Sequence, residues 1–288
     1  MPAQRAAQGE RAVKLRSLLF VPGDRPERFA KAASSGADAI ILDLEDSVTL
    51  ANKAGARQAI ADYLGSERLV TTIVRVNPLD GGLTEFDLAA VLSGRPDVIM
   101  LPKAEGAASV LELVAMMDDG AVPILPIATE TAAAIFQLGS YRDVAGCLAG
   151  LTWGAEDLPA AIGASAARES DGRYTSPYEM ARNLTLFAAH AAGVPAIETV
   201  YPAISDLDRL SGYAARGRRD GFSGMMAIHP SQVPAINAAF TPTAMEIADA
   251  QAIVDAFAAH PDAGALQVDG KMVDAPHLKQ AQRLLASA

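Results

Sequence analysis

Short apolar runs recur along this chain, and residues able to do chemistry sit at or just after most of them. Glu45 and Asp46 follow the run AIILD, Arg75 and Asn77 stand at TIVRV, and Lys103 and Glu105 follow VIML. Thr129 and Glu130 come after VPILPI, Glu156 and Asp157 after CLAGLTW, and His229 after GMMAI. A set made only of Ser and Asn would be explained by turn chemistry. Four of these loops carry carboxylates instead, and converging carboxylates repel unless a cation or basic side chain neutralises them. With neither a Cys pair nor a His-x-x-x-His nearby, oxygen-only ligation favours a hard ion, Mg²⁺ with Mn²⁺ as the alternative, over zinc. Such an ion usually takes one or two carboxylates and fills its other positions with water and substrate oxygens. Glu130 and Asp157, after the fifth and sixth runs, are the expected pair.

Each acid also has a second reading, as the cap of the helix that follows it. That reading is strongest for Asp46, beside Ser47. It is weaker for Glu130, because Thr129 is the better-placed cap. Arg75 interrupts an otherwise apolar run, and a buried guanidinium is costly unless it meets an anion. It could grip a carboxylate or enolate oxygen in bidentate fashion, pair with a barrel acid such as Glu45, or do both. His229 reads as a buried histidine bonded to a backbone group, and Trp153 and Cys147 as interior packing. No G-x-S-x-G and no P-loop pattern occurs, so a serine hydrolase of the α/β-hydrolase type and a P-loop kinase have no support.

The elements that must position these residues are legible as eight apolar runs, at 17–21, 39–43, 72–76, 98–101, 122–127, 147–153, 196–201 and 224–228. They are almost continuously apolar, as expected of parallel strands covered on both faces. Helical periodicity fills the intervals. In the sixth interval Met180, Leu184, Phe187 and Ala191 share a face, and in the eighth Val233, Ile236 and Phe240 do. Gly36, Gly65, Gly94 and Gly193 read as helix stops. Eight β-α units within about 240 residues point to a TIM (β/α)8 barrel more than to an open doubly wound sheet, and no G-x-G-x-x-G follows the first run. Residues 1–15 read as a flexible N-terminal extension, 16–243 as the barrel, and 244–288 as a C-terminal helix and lid segment.

Composition narrows the partners. The 288 residues include 24 basic and 34 acidic ones, a formal net charge of −10. An overall basic coat for nucleic acid or an anionic membrane is therefore absent, while a local basic pocket remains allowed. Half the residues are apolar, enough for a large core, and the single cysteine fits a reducing compartment. Residues 1–15 have no apolar core like that of a secretory signal. A cytoplasmic protein is expected, with an organellar leader left open by the lack of any acid before Glu10.

The segments RSLLFVPGDRPERF, AIILDLEDSV, VRVNP, VIMLPKAE, PIATETAAAIF, LTWGAEDL, SPYEMARN, AIETVY and GFSGMMAIHPSQV together resemble the citrate lyase β-subunit-like family. That group lies in the wider HpcH/HpaI aldolase superfamily and includes malyl-CoA and citramalyl-CoA lyases. The resemblance runs from about Arg16 to the C-terminus. It implies a TIM barrel, Mg²⁺ dependence and reversible C–C cleavage of a 3-hydroxyacyl-CoA thioester to a keto acid and acetyl- or propionyl-CoA. By the same resemblance Glu130 and Asp157 are metal carboxylates, Arg75 binds substrate, and Glu45 and Asp46 are acids near the metal and its waters. The DGKMVDAP segment resembles a lid whose aspartate reaches a neighbouring subunit's site. Asp274 is the candidate and Asp269 the alternative, in a homotrimer or hexamer. The family often has Asp where this chain has Glu198, whose carboxylate stands one methylene farther from the backbone.

The implied chemistry has a Mg²⁺-chelated hydroxyacid losing its hydroxyl proton, Arg75 meeting the developing negative charge, and the lid acid protonating the enolate carbon. Arg16, Arg25 and Arg28, around the first run, are candidates for the CoA phosphates or else solvated surface arginines. A citryl-thioester lyase subunit acting on an acyl-carrier partner is the alternative. A related synthase or malyl-CoA thioesterase, and an idle scaffold subunit, stand behind it.

Overall fold

A computed structural model describes residues 15–117 and 122–287. Most of the expected N-terminal extension, residues 1–14, lies outside the described residues.

Eight parallel strands alternate with helices. They are β1 (Ser17–Pro22), β2 (Ala39–Asp43), β3 (Thr71–Arg75), β4 (Val98–Leu101), β5 (Ile124–Pro126), β6 (Leu151–Thr152), β7 (Ala196–Glu198) and β8 (Gly224–Ala227). The ladder runs β5-β4-β3-β2-β1-β8-β7-β6. Two isolated parallel bridges, Ile124 to Leu148 and Ile127 to Thr152, carry it from β5 round to β6. The architecture is a TIM-like α/β barrel. Alternate residues of successive strands, among them Leu18, Ile41, Ile73, Met100, Leu125 and Met226, form one buried apolar cluster, as parallel strands covered on both faces require.

The helices are α1 (Phe29–Ala33), α2 (Lys53–Leu64), α3 (Thr84–Val91), α4 (Ala107–Met116), α5 (Ala132–Gln137), α6 (Leu158–Ile162), α7 (Ser176–Ala192), α8 (Leu207–Asp220), α9 (Val233–Ala239), α10 (Ala244–Ala259) and α11 (Ala275–Ser287). Gly193 ends α7 in the left-handed conformation, with φ 72°, a C-cap that glycine adopts without a Cβ penalty. The eighth expected face holds, with Val233, Ile236 and Phe240 all buried. The sixth does not. Met180 is 55% exposed, Leu184 38% and Phe187 67%, while Tyr178, Ala181, Arg182, Thr185 and Ala189 face inward. On the inner face Arg182 Nε donates to Glu198 and Thr185 Oγ1 to the Ala181 carbonyl, while the Tyr178 hydroxyl and Arg182 Nη2 are buried without a hydrogen-bond partner among the described residues. A face chosen by apolar content alone is therefore the wrong one here. Cys147 ends a 3-10 stretch, Leu138–Cys147, ahead of β6 and is only half-buried.

The chain divides into two compact units, one ending at Asn237 and one beginning at Ala238, where the sequence reading places the division after residue 243. In the second unit α10 opens with a capping box between Thr243 and Glu246. An antiparallel hairpin, β9 (Ala265–Val268) and β10 (Lys271–Asp274), follows. Asp269 and Gly270 make its turn at φ 49° and 77°, the positive pair that a type I′ connection needs. Among the described residues no helix is long and apolar enough to cross a membrane.

Candidate active site

The C-terminal ends of the barrel strands surround a cleft of about 420 Å³. Phe20, Asp43, Asp46, Arg75, Glu130, Gly154, Glu156, Asp157 and Thr199 are among its lining residues. It stands at the end of the fold where TIM-barrel chemistry is sited.

Strand register builds the first part. Asp43 and Arg75 end β2 and β3 and stand opposite each other in the parallel ladder. Arg75 donates from Nε to Asp43 Oδ1 at 2.6 Å and from Nη2 to Oδ2 at 2.7 Å, while its guanidinium lies 4.9 Å from the centre of the Phe20 ring. Asp43 also accepts from the Glu45 and Ser47 amides and from Ser47 Oγ. Burial alone would raise the Asp43 carboxyl. The Arg75 charge and these hydrogen bonds override it and hold Asp43 below its usual range. Glu45 shares strand parity with Asp43 and brings a second carboxylate to Arg75. Its Oε2 lies 2.8 Å from Nη1, but out of hydrogen-bond alignment, so that oxygen is buried without a donor.

The second part comes from β4, β5 and β6. Lys103, past β4, adopts a left-handed backbone at φ 51°, a strained conformation for a lysine of the kind that clusters at functional sites. Its amide donates to Glu130 Oε2 at 2.6 Å. Its ammonium stands 2.5 Å from Glu45 Oε1 and 3.5 Å from Asp157 Oδ1. Burial, together with the charges of Glu45 and Asp157, pushes Glu130 up to about 8 against the pull of the Lys103 amide. Burial likewise lifts Glu45, although Arg75 and Lys103 oppose it.

The capping readings of the acids give way. Thr131, not Thr129 or Glu130, caps α5 by accepting from the Ala134 amide. Thr129 Oγ1 instead pairs with the Gly154 backbone. Asp157 precedes α6 without a side-chain cap bond, and Asp46 is exposed on the loop ahead of a 3-10 turn whose N-cap is Thr49. Both of these carboxylates line the cleft.

Other expected residues fall elsewhere. Arg16 precedes β1, at the opposite end of the barrel from the cleft, and grips Asp38 through Nε and Nη2, each at 2.8 Å. A strand's first residue and its rim lie a full strand length apart, so the structure does not bring Arg16 to the cleft. Arg25 and Arg28 stand beyond β1 with side chains 56% and 60% exposed, beside Asp24 and Glu27. His229 is exposed, not buried; its Nδ1 caps the turn Pro230–Gln232 by accepting from the Ser231 amide. Pro230 starts that turn just past β8 and keeps the ring outside the core. Asn77 is a buried brace between Asp87 and the Leu44 carbonyl. In the second unit Asp274 closes β10 with Oδ1 2.5 Å from His277 Nδ1, while Asp269 is used by the turn.

Two residues escape the sequence analysis as members of the site, Asp43 and Gly154, and Lys103 stands there among the rim residues without an assigned role. Asp43 had a signal, being the one charge in AIILD and two positions before Glu45. Lys103 had another, a cation among rim acids. Glu198 is fully buried, accepting from Trp153 Nε1, Tyr213 and the Thr199 amide on one oxygen and from Arg182 on the other. It ties β7 to Trp153, the residue before Gly154.

Four carboxylates, Asp43, Glu45, Glu130 and Asp157, thus meet two cations, Arg75 and Lys103. Carboxyl groups outnumber cations by two, and among the described residues one buried carboxylate oxygen, Glu45 Oε2, has no donor. Among the described residues no three Asp, Glu, His or Cys side chains form a ready metal cage. A pair of carboxylates completed by water and substrate oxygens is the form Mg²⁺ usually takes, so this donor set fits a hard divalent ion.

The chain is similar along nearly its whole length to proteins already described. Similarity to the citrate lyase subunit beta-like protein of Mycobacterium tuberculosis is 39% identity over 280 residues, covering 94% of each chain. Similarity to the mitochondrial citramalyl-CoA lyase of Mus musculus is 32% over 309 residues, covering all of this chain and 90% of that one. The solved structure of CitE from M. tuberculosis, in complex with magnesium, acetoacetate and coenzyme A, superposes with a TM-score of 0.84 at 37% identity. That match covers 97% of this chain and 99% of the other. Residues 16–230 match the HpcH/HpaI aldolase/citrate lyase family, and the chain belongs to that family of lyases.

Proposed function

We propose that this protein is a cytoplasmic, Mg²⁺-dependent carbon–carbon lyase. Its substrate would be a 3-hydroxyacyl-CoA such as malyl-CoA or citramalyl-CoA, cleaved to acetyl- or propionyl-CoA and a keto acid. One observation carries the reading: the cleft gathers two more carboxylates than cations around Glu130 and Asp157. Glu130 and Asp157 would hold the ion, with Glu45 and Asp46 beside it. When bound, Mg²⁺ supplies Lewis acidity to the hydroxyl and carboxylate oxygens of the substrate.

The remaining work falls to the chain. Asp46 lines the cleft, is exposed and makes no ion pair or hydrogen bond among the described residues, so it is the carboxylate available to accept the hydroxyl proton. As that proton leaves, the C–O bond becomes a carbonyl, the C–C bond breaks, and its electron pair passes to the thioester enolate. Arg75, held in one orientation by Asp43, meets the negative charge that develops. A carboxylic acid then returns a proton to the enolate carbon. Asp274, brought by the lid segment of a neighbouring subunit in a trimer or hexamer, is assigned that role.

The test is incubation of the purified protein with Mg²⁺ and malyl-, citramalyl-, 3-methylmalyl- and citryl-CoA, scored by keto acid release. Cleavage of at least one ester is expected, and Asp157→Asn should abolish it while leaving the fold intact. Failure on every free CoA ester would overturn the reading in favour of a carrier-bound citryl thioester. Mixing inactive Asp274→Ala with inactive Asp157→Asn subunits should restore part of the activity; no recovery would remove the shared lid.

A further inference from the structure

A second cleft, of about 770 Å³, opens between the loop preceding α7 and the start of α8, within the size range of small-molecule sites. None of its lining residues lines the catalytic cleft. Arg168 dominates it. Its guanidinium lies 3.8 Å from the centre of the Tyr174 ring and 5.6 Å from that of Tyr201. It donates from Nη1 to the Gly172 carbonyl at 2.9 Å and from Nη2 to the Tyr174 hydroxyl at 2.6 Å. Those neutral partners use two of the five N–H groups an arginine carries, and no carboxylate among the described residues forms an ion pair with it. Stacking and these bonds fix the plane of a cation whose charge is not neutralised by contact.

A second guanidinium converges on the same point. Arg209 Nη1 lies 3.9 Å from where a Cβ on Gly172 would stand, so Arg168 and Arg209 flank one glycine. Arg209 is 69% exposed and has Asp206 only at 3.6 Å from Nε. Glu156, on the wall of the catalytic cleft, feels the Arg168 charge without forming an ion pair with it, and the other charges facing the second cleft are balanced or peripheral. Arg216 is gripped by Glu179 and Arg173 by Asp171, and Glu169 is exposed. Two guanidinium forks directed at one place suit a group with several anionic oxygens better than a lone carboxylate. Tyr201, on the cleft wall, offers a ring on which a base can stack.

We propose that this cleft binds the pyrophosphate group of a nucleotide, with Arg168 and Arg209 as its anion clasp. The pyrophosphate could belong to a free nucleotide or to the nucleotide end of coenzyme A, and the two sources separate experimentally. ADP and inorganic pyrophosphate are titrated calorimetrically into the full-length protein in Mg²⁺-free buffer, where no turnover is involved. Wild type should bind ADP, and Arg168→Gln and Arg209→Gln should each bind it at least about tenfold more weakly. Arg209→Gln alters an exposed side chain of α8, so an unchanged thermal melt distinguishes lost contacts from lost fold. Glu130→Gln, in the catalytic cleft, should bind ADP like wild type. Competition by coenzyme A that weakens equally in Arg209→Gln assigns the clasp to the thioester's own nucleotide, and lack of competition assigns it to a free one. The proposal is overturned if neither ADP nor pyrophosphate binds, or if Glu130→Gln loses binding while both arginine variants keep it.

Discussion

Gly154 lies against the Glu130 carboxyl so closely that a Cβ on residue 154 would stand 2.5 Å from Glu130 Cγ and 2.9 Å from Oε1. The glycine follows β6 and the glutamate follows β5, so the seam where the barrel ladder is thinnest is also where the key carboxylate is seated. Lys103, from the β4 loop, holds the other oxygen. The carboxyl is therefore positioned by three successive strands.

Gly154→Ala should displace Glu130 with little effect on folding. A shift of about 1 Å in a catalytic group can cost on the order of a hundredfold in rate, and a loss of that order in Mg²⁺-dependent turnover is expected. Adding Glu130→Asp, which shortens the side chain, should recover part of it. Full activity in Gly154→Ala would show that Glu130 is not held by this contact.

The Asp43–Arg75 bridge is buried on both sides, so removing one partner leaves a charge uncompensated. Asp43→Ala should lower stability by about 3–5 kcal/mol, read from urea unfolding, and should reduce turnover because Arg75 loses its orientation. A stability change under about 0.5 kcal/mol, typical of surface sites, would contradict the geometry.

The two faces of α7 give opposite expectations. Arg182→Ala strands the fully buried Glu198 and should cost about 3–5 kcal/mol. Phe187→Ala, on a side chain 67% exposed, should stay within about 0.5 kcal/mol in the isolated chain. Reversed magnitudes would mean that the helix is turned the other way.

Glu130, raised to about 8, also predicts a pH dependence for the metal-free protein. Between its ordinary value and about 8 the native state holds a proton that the unfolded chain has released. Native stability then falls as pH rises through this window. Glu130→Gln should flatten that slope, because its amide does not titrate, and Mg²⁺ should offset the loss toward pH 8. Unfolding curves taken at intervals from pH 5 to about 8.5 would show equal slopes for both proteins if the carboxyl ionises normally.

Much of the site was legible before the fold was known. Alternating apolar runs and helical stretches specify β-α units, and in a barrel every strand end faces the same way. Position after a run was therefore enough to gather Glu45, Asp46, Glu130 and Asp157 at one mouth. The same logic marks Arg75 as a buried charge in want of an anion. What it could not supply was the partner, because the in-register pairing of Asp43 with Arg75 depends on how two strands far apart in sequence align.

Two departures from expectation share a cause. Closeness in sequence groups Arg16 with Arg25 and Arg28, yet β1 separates them and carries its two ends to opposite ends of the barrel. On α7 the apolar stripe was visible, but the buried face was decided by the polar partners waiting on β7 and α8, which periodicity does not register. The residue types and their order determined the fold class and the sign of charge at the mouth. Tertiary structure alone decided which charges neutralise one another, because Coulomb and hydrogen-bond energies depend on distances of a few ångströms between strands that are remote in the chain.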